Sequence, residues 1–93
     1  MYDVHHRNKF RASYRKVIRS GVFPADDFDL VLSLLVNTQR LPEVYHDHSL
    51  NGNLSGKRVC HLQGDCLLMY EVDVVHKTIY LVDIGNHANV LGM

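Results

Sequence analysis

Three histidines and one aspartate in the second half of the chain are the residues best suited to do chemistry. They are His48, His61, Asp65 and His87, and each lies beside a turn or strand signal. Imidazole exchanges protons more readily near neutral pH than any other side chain. If these four groups gather on one small sheet, they supply the acid and the base needed for attack on a phosphodiester bond. The chemistry therefore depends on whether the fold brings them together.

The length and composition predict one small domain spanning residues 1–93. A chain of 93 residues lies below the common size of a single domain and buries about 60% of its extended surface. No apolar run approaches the roughly 18 residues of a membrane span, and the N-terminus lacks an apolar signal region. Two cysteines are too few for a disulfide scaffold. We therefore expect a reduced, cytoplasmic protein with no membrane partner.

Positive charge is concentrated at the N-terminal end, although the formal net charge of the whole chain is zero. Within residues 1–20, six Lys and Arg side chains are opposed by Asp3 alone, which leaves a local charge of +5. Four arginines recur there every four residues, at Arg7, Arg11, Arg15 and Arg19. Such asymmetry predicts either a surface for an anionic partner, phosphate or an acidic protein segment, or simply a solvated helix face.

The first half of the chain has the pattern of a helical hairpin over residues 8–38. Pro42 marks its end, Gly21 is expected to stop the first helix, and Pro24 suits the first position of the second. The first helix has apolar residues at helical spacing, namely Phe10, Tyr14, Val17 and Ile18. The predicted buried stripe of the second helix consists of Phe28, Val31, Leu32, Leu35 and Val36.

After Pro42 the hydrophobic period changes to that of β-strands. Residues 57–63, 66–74 and 78–84 are rich in β-branched and aromatic residues and are separated by turn signals. Their short connections predict consecutive antiparallel pairing, and residues 2–5 add a short first strand. The prediction is an α+β fold with an N-terminal helical hairpin packed on an antiparallel sheet of about four strands.

Strand alternation predicts that His61 lies on the face of the sheet that the helices leave uncovered. Successive side chains of a strand point to opposite faces. Val59 and His61 therefore share one face, with Cys60 and Leu62 on the other. We expect the helices to cover the face that carries Cys60 and Leu62. The site around His61 is therefore expected to be shallow and open.

Several motifs occur in a fixed order between residues 41 and 91. The run from Leu41 to Leu50 reads L-P-x-x-Y-x-D-H-x-L. It is followed by Gly52, Gly56, Arg58, Cys60-His61, Gly64–Tyr70 and Ile84–Leu91. Together these residues resemble the YafQ branch of the RelE/ParE toxins of bacterial type II toxin–antitoxin systems.

The resemblance implies a ribosome-dependent endoribonuclease, an mRNA interferase that cuts mRNA in the ribosomal A site and is held inactive by an antitoxin. The catalytic positions of the family carry over to His48, His61, Asp65 and His87. In that scheme His48 and His87 transfer protons, while His61 and Asp65 position the substrate or tune a neighbouring pKa. The 2′-hydroxyl attacks the adjacent phosphorus and gives a 2′,3′-cyclic phosphate, with neither metal nor cofactor.

The resemblance also implies RNA contacts outside the catalytic set. Lys57 and Arg58 follow the motif glycines, and Arg58 matches an arginine of the family. Leu91 stands where the family has an aromatic residue that can stack on a base. Arg11 and Arg15 are candidates for contacts with mRNA or ribosomal RNA, because phosphate contacts dominate nucleic-acid affinity. A role in an antitoxin groove and a solvated flank stay open for the same arginine row.

Three positions differ from the family pattern. Asp83 stands where the family commonly has arginine, Cys66 where it has tryptophan, and Leu91 where it has the aromatic residue. A carboxylate at position 83 is expected to repel the charge that develops on phosphorus. These differences keep open a second interpretation, a toxin-fold protein that binds an antitoxin or another partner without cleaving RNA. A gyrase-poisoning activity like that of ParE is the third.

Zinc binding is the competing interpretation of the histidines. Residues of the types that ligate zinc occur at His46, His48, Cys60, His61 and Cys66. Their spacing fits no paired-cysteine pattern, so we expect no metal. The remaining histidines are expected to be surface or structural residues; they are His5, His6 and His76.

Overall fold

The computed structural model describes residues 1–92. The strands are β1 (Asp3–His6), β2 (His48–Ser49), β3 (Arg58–Leu62), β4 (Cys66–Asp73) and β5 (Thr78–Gly85). The helices are α1 (Asn8–Arg19), α2 (Ala25–Thr38) and α3 (His87–Leu91), and short 3₁₀ turns at Glu43–Tyr45 and Gly52–Leu54 flank β2. Within this part of the chain, no helix has the length and apolar character needed to cross a membrane.

The strands form a single sheet in the order β1-β5-β4-β3-β2. From β2 to β5, consecutive strands pair in antiparallel fashion, as the sequence predicts. β1 instead lies parallel to β5, with Asp3 beside Thr78 and His6 beside Leu81. The α+β prediction is confirmed, with a fifth strand, β2, of only two residues. The sheet is mixed because the chain leaves β1 through the helical hairpin, a crossover of the kind that parallel pairing requires.

The helical hairpin covers one face of the sheet and forms the main core there. Phe10 of α1 and Phe28, Val31 and Leu35 of α2 are buried against residues of β3, β4 and β5. The rings of Phe10 and Phe28 stack with their centroids 6.3 Å apart. Burial of such side chains contributes about 1.5–3 kcal/mol each, so this layer fixes the hairpin on the sheet. The predicted stripe of α1 is wrong at Ile18, which is 46% exposed in the last turn of the helix.

The opposite face carries a smaller apolar cluster beside an open polar region. Val59, Met69 and Val90 are among the buried residues of this cluster, which α3 closes at one end. Cys60 belongs to the helix-covered core. The alternation predicted for β3 is therefore confirmed, and His61 lies on the face away from α1 and α2.

Candidate active site

Four imidazole rings meet on the open face of the sheet, with His61 of β3 at their centre. The centroid of the His61 ring lies 5.3 Å from that of His87, 5.6 Å from that of His46 and 6.0 Å from that of His48. Pairing of β2 with β3 places His48 opposite Val59, and the first turn of α3 contributes His87. The fold thus brings three distant segments of the chain to one patch, here called the histidine cluster.

Asp65 extends the histidine cluster through a hydrogen bond with His87. The Nδ1 atom of His87 and the Oδ1 atom of Asp65 are 2.6 Å apart, and the two side chains are 47% and 64% exposed. Asp65 lies in the turn between β3 and β4. Gly64, the preceding residue of that turn, has a left-handed backbone with a φ of +70°. The backbone N–H of Gln63 donates to a carboxylate oxygen of Asp27 in α2 at 2.9 Å. This bond ties the turn, and with it Asp65, to the helical layer.

The turn from β5 into α3 sets the position of His87. Gly85 has a φ of +154°, a backbone conformation that residues with a Cβ rarely adopt. The Asn86 side chain accepts a hydrogen bond from the backbone N–H of Asn89 at 2.8 Å and so caps the N-terminus of α3. His87 is the first residue of that helix, and its imidazole is therefore held at the end of β5.

Hydrogen bonds to the Nδ1 atoms fix the tautomers of two rings in the cluster. Nδ1 of His48 lies 2.8 Å from the carbonyl oxygen of His46. A carbonyl oxygen only accepts, so Nδ1 of His48 carries the proton and Nε2 of the neutral ring keeps its lone pair. The same reasoning applies to His87, whose Nδ1–H donates to the Asp65 carboxylate. In both residues Nε2 is the nitrogen left to exchange a proton with a substrate.

A clamp around Asp47 holds the segment that carries two of the histidines. Nη2 and Nε of Arg58 donate to the carboxylate of Asp47 at 2.8 and 3.2 Å, and the buried hydroxyl of Tyr70 donates to its second oxygen. Burial and the hydrogen bond to Asp47 raise the pKa of Tyr70, which keeps this donor protonated. Because Asp47 lies between His46 and His48, the clamp sets where both rings lie.

Charge in the cluster is distributed unevenly. Burial, and then the neighbouring imidazoles, lower the pKa of His61, so the central ring is neutral at pH 7. The hydrogen bond from His87 lowers the pKa of Asp65, which is therefore a carboxylate at the same pH. The arrangement combines a neutral ring at the centre with a carboxylate-bound ring at the edge.

The lowered pKa of His61 predicts a pH dependence of stability. Between the folded pKa and the unfolded value of about 6.5, the unfolded chain binds more protons at His61 than the folded protein does. The free energy of unfolding is therefore expected to fall as the pH drops below about 6.5. Urea unfolding at about pH 7.5 and 5.5 measures this loss, which should be smaller in His61→Gln. The exposed His5 gives the control, His5→Gln, and an equal loss in all three proteins would contradict the prediction.

The structure brings His48, His61, Asp65 and His87 together, the four positions expected to be catalytic. It adds His46, which the sequence suggested only as a zinc ligand. The signal for His46 was its spacing of two residues from His48. The left-handed backbone of His46, with a φ of +47°, places it beside His61 although the two residues do not lie in paired strands.

The residues expected to bind RNA do not gather in the histidine cluster. Arg58 is engaged by Asp47, and Nζ of Lys57 lies 3.9 Å from a carboxylate oxygen of Glu71. Leu91 packs against the apolar cluster below α3. The arginine row is exposed, and all of it except the preceding Arg7 lies on α1, the helix that packs on the opposite face of the sheet. Two of its members, Arg11 and Arg15, therefore lie on the far side of the sheet from His61.

The acidic residue that differs from the family pattern has a cationic partner. Asp83 is 2% exposed, its Oδ1 accepts from the backbone N–H of Ile84 at 2.9 Å, and its Oδ2 lies 3.3 Å from Nζ of Lys9. The Lys9 ammonium thus offsets the negative charge of the Asp83 carboxylate. Cys66, the second difference, is buried, and burial raises the pKa of its thiol to about 11.

Metal-ligating residue types do not gather into a metal site in the described part of the chain. Within residues 1–92, no three His, Cys, Asp or Glu side chains are arranged to hold a metal ion. Cys60 and Cys66 are free thiols in the helix-covered core. They lie across the sheet from His61, on the other side of β3 and β4.

Comparisons with known proteins agree with this geometry. The sequence profile of the family described as "Bacterial toxin of type II toxin-antitoxin system, YafQ" matches residues 2–92. The mRNA interferase toxin YafQ of Escherichia coli K12 is 36% identical over 63 residues, which cover 68% of this chain and 66% of that protein. The chain spans between 36% and 66% of the lengths of the curated relatives it matches.

Solved structures match over nearly the whole chain. The crystal structure of the E. coli DinJ-YafQ complex contains a chain with a TM-score of 0.82 and 26% identity, covering 99% of this chain and 100% of that one. A metal-bound toxin from Helicobacter pylori has a TM-score of 0.83 and 31% identity, covering 97% of this chain and 99% of that one. With a profile match across almost its full length, the chain belongs to the YafQ family of toxins of bacterial type II toxin–antitoxin systems.

Proposed function

We propose that this chain is a ribosome-dependent mRNA endoribonuclease that an antitoxin inhibits in the cytoplasm. The observation that carries the proposal is the convergence of four imidazoles and Asp65 on the open face of the sheet. The name of the E. coli relative, mRNA interferase toxin, supports the activity. The complex of the E. coli toxin with DinJ supports an antitoxin as the partner.

The proposed reaction is metal-independent and uses His48 as base and His87 as acid. Nε2 of His48 removes the proton from a ribose 2′-hydroxyl, and the 2′-oxygen forms a bond to the adjacent phosphorus. The bond from phosphorus to the 5′-oxygen breaks, and Nε2–H of protonated His87 gives its proton to that oxygen. The products are a 2′,3′-cyclic phosphate and a 5′-hydroxyl. Positioned acids and bases each contribute about 10²–10⁴-fold.

The other groups of the site support this pair. The Asp65 carboxylate holds the Nδ1–H of His87 and stabilises the charged ring before it donates. His61, neutral and within contact of His46, His48 and His87, can hydrogen-bond the phosphoryl oxygens without a net charge. The ribosome orients the message in the site. Holding reacting groups in the right geometry contributes strongly to the rate, as the large effective molarities of oriented reactions show. No cofactor takes part in these steps.

Cleavage of a ribosome-bound message tests the proposal directly. Purified protein is added to ribosomes programmed with a defined mRNA, and the new RNA ends are mapped. We expect cuts that require the ribosome, with a 2′,3′-cyclic phosphate on the upstream fragment. The reaction should persist when divalent cations other than Mg²⁺ are chelated. Intact message, under conditions in which the E. coli relative cleaves, would contradict the proposal.

Engagement of the cationic side chains favours one alternative, a family member that binds its antitoxin but does not cut RNA. Arg58 is paired with Asp47 and Lys57 lies beside Glu71, so two of the residues expected to bind RNA already have partners. Tight antitoxin binding combined with no cleavage on ribosomes would select this alternative.

A further inference from the structure

A groove runs beside the histidine cluster between α1 and the end of the sheet. Its volume is about 680 Å³, within the range of about 300–1,000 Å³ typical of small-molecule sites. One wall is α1, and the other consists of the β3–β4 turn, the end of β5 and the start of α3. Its polar lining includes Lys9, Lys16, Gln63, Asp65, Asp83 and Asn86.

The groove meets the histidine cluster at Asp65. Asp65 lines the groove and also holds His87 by its hydrogen bond. Asn86, another lining residue, directly precedes His87 in the chain. If the cleaved bond of an RNA strand lies at His87, the next part of the strand therefore lies at the end of the groove.

The ion pair of Lys9 and Asp83 gives the groove a positioned cation. Asp83 cannot turn away, because its side chain is 3% exposed and its Oδ1 accepts from the Ile84 N–H. Lys9 is 68% exposed, so its ammonium is held at the wall of the groove while remaining open to solvent. An ammonium has three donors, and the pair with Asp83 leaves donors free for an anion. Lys16 adds a second positive charge to the same lining.

The groove also has apolar lining residues. Val17, Val22, Pro24 and Ile84 line the groove together with the cations. A nucleotide also combines charged and apolar parts, because it has a charged phosphate and a flat base whose faces are apolar. The lysine ammonium groups complement the phosphate, and aliphatic side chains can cover the base.

We propose that the groove binds the nucleotide next to the cleaved bond, with Lys9 contacting its phosphate and Asp83 holding Lys9 in place. The proposal rests on the proposed function, since it concerns the path of the same message. It makes Lys9 a substrate-binding residue of α1, on the helix-covered side of the sheet.

Cleavage kinetics on programmed ribosomes test the role of Lys9. Lys9→Met keeps the length of the side chain but removes its charge, and we expect kcat/KM to fall about tenfold, mainly through KM. Lys9→Arg should restore most of the activity. The control is Lys77→Met, which changes an exposed lysine just before β5. Lys77 is six residues, and so about 20 Å, from Asp83 along the strand, and this variant should behave as the wild type does.

A binding measurement separates this proposal from the proposed function. A short 2′-O-methylated RNA, which cannot be cleaved, is titrated into the wild-type protein and followed by NMR. We expect the amide signals of Gln63 and Asn86 and the side-chain signals of Lys9 to shift. In a plot of the logarithm of the binding constant against the logarithm of salt concentration, the slope for Lys9→Met should be shallower than that of the wild type by about 0.7.

The outcomes are distinct. Shifts in the groove without cleavage by the wild type would support RNA binding in the groove and contradict the nuclease. Cleavage by Lys9→Met at the wild-type rate, or NMR shifts confined to other surfaces, would overturn the groove proposal and leave the nuclease standing. If Lys9→Met weakens antitoxin binding and changes neither RNA measurement, the groove is a protein-binding surface and the proposal is wrong.

Discussion

Replacing His87 by alanine is expected to lower the rate of message cleavage by about 10²–10⁴-fold and to abolish growth arrest on expression. The substitution removes the ring that donates to the leaving 5′-oxygen, and it leaves Asp65 without its hydrogen-bond partner. His87 is 47% exposed, so we expect little change in the free energy of unfolding. Single-turnover cleavage on programmed ribosomes measures the effect, and urea unfolding confirms that the variant is folded.

His76 provides a matched control for that experiment. Its Nδ1 lies 2.8 Å from a carboxylate oxygen of Asp73, which is the pairing that His87 makes with Asp65. His76 lies in the β4–β5 turn, at the other end of the sheet from the histidine cluster. His76→Ala should therefore cleave as the wild type does. Equal losses in the two variants, or full activity in His87→Ala, would remove His87 from the proposed mechanism.

Replacing Asp47 by alanine is expected to have the largest effect on stability, a loss of about 2–3 kcal/mol in the free energy of unfolding. The carboxylate accepts hydrogen bonds from Arg58 and from the buried hydroxyl of Tyr70. Its loss leaves a buried donor without a partner, and an unmatched buried donor costs more than the net value of the bond. Cleavage should fall as well, because His46 and His48 lose the anchor between them.

A double-mutant cycle with Tyr70→Phe tests the clamp. Tyr70→Phe removes only the hydroxyl and should cost about 1 kcal/mol. In the protein carrying both substitutions, no hydroxyl is stranded, so the combined loss should be smaller than the sum of the single losses by at least about 0.5 kcal/mol. Urea unfolding of the four proteins measures this difference. Strict additivity would show that Asp47 and Tyr70 do not act together.

The sequence predicts the elements of this fold well, since each depends on local patterns. The apolar spacing of Phe10, Phe28 and Leu35 predicts helices whose buried stripes do face the sheet. Alternation along β3 predicts the face on which His61 lies. These inferences need only the periods of helix and strand and the positions of turn residues.

The features that escaped prediction depend on contacts between distant parts of the chain. Parallel pairing of β1 with β5 joins residues more than seventy positions apart. The partners of Asp83 and Asp47 come from α1, β3 and β4, and no local pattern indicates which carboxylate meets which cation. His46 joins the cluster through a left-handed backbone conformation that its residue type does not specify. The ion pair of Arg58 with Asp47 escaped prediction for the same reason, and Arg58 was expected to contact RNA instead.

The position of β5 in the sheet has a consequence for synthesis on the ribosome. Because β5 lies between β1 and β4, the N-terminal strand has no neighbour until residues 78–85 have been translated. A nascent chain of 77 residues contains the whole helical hairpin and the hairpin of β3 with β4, but these halves lack the strand that joins them. Long-range pairing of this kind delays folding. His87 is translated only two residues after that strand. The nascent chain therefore completes its sheet and its candidate active site at nearly the same time.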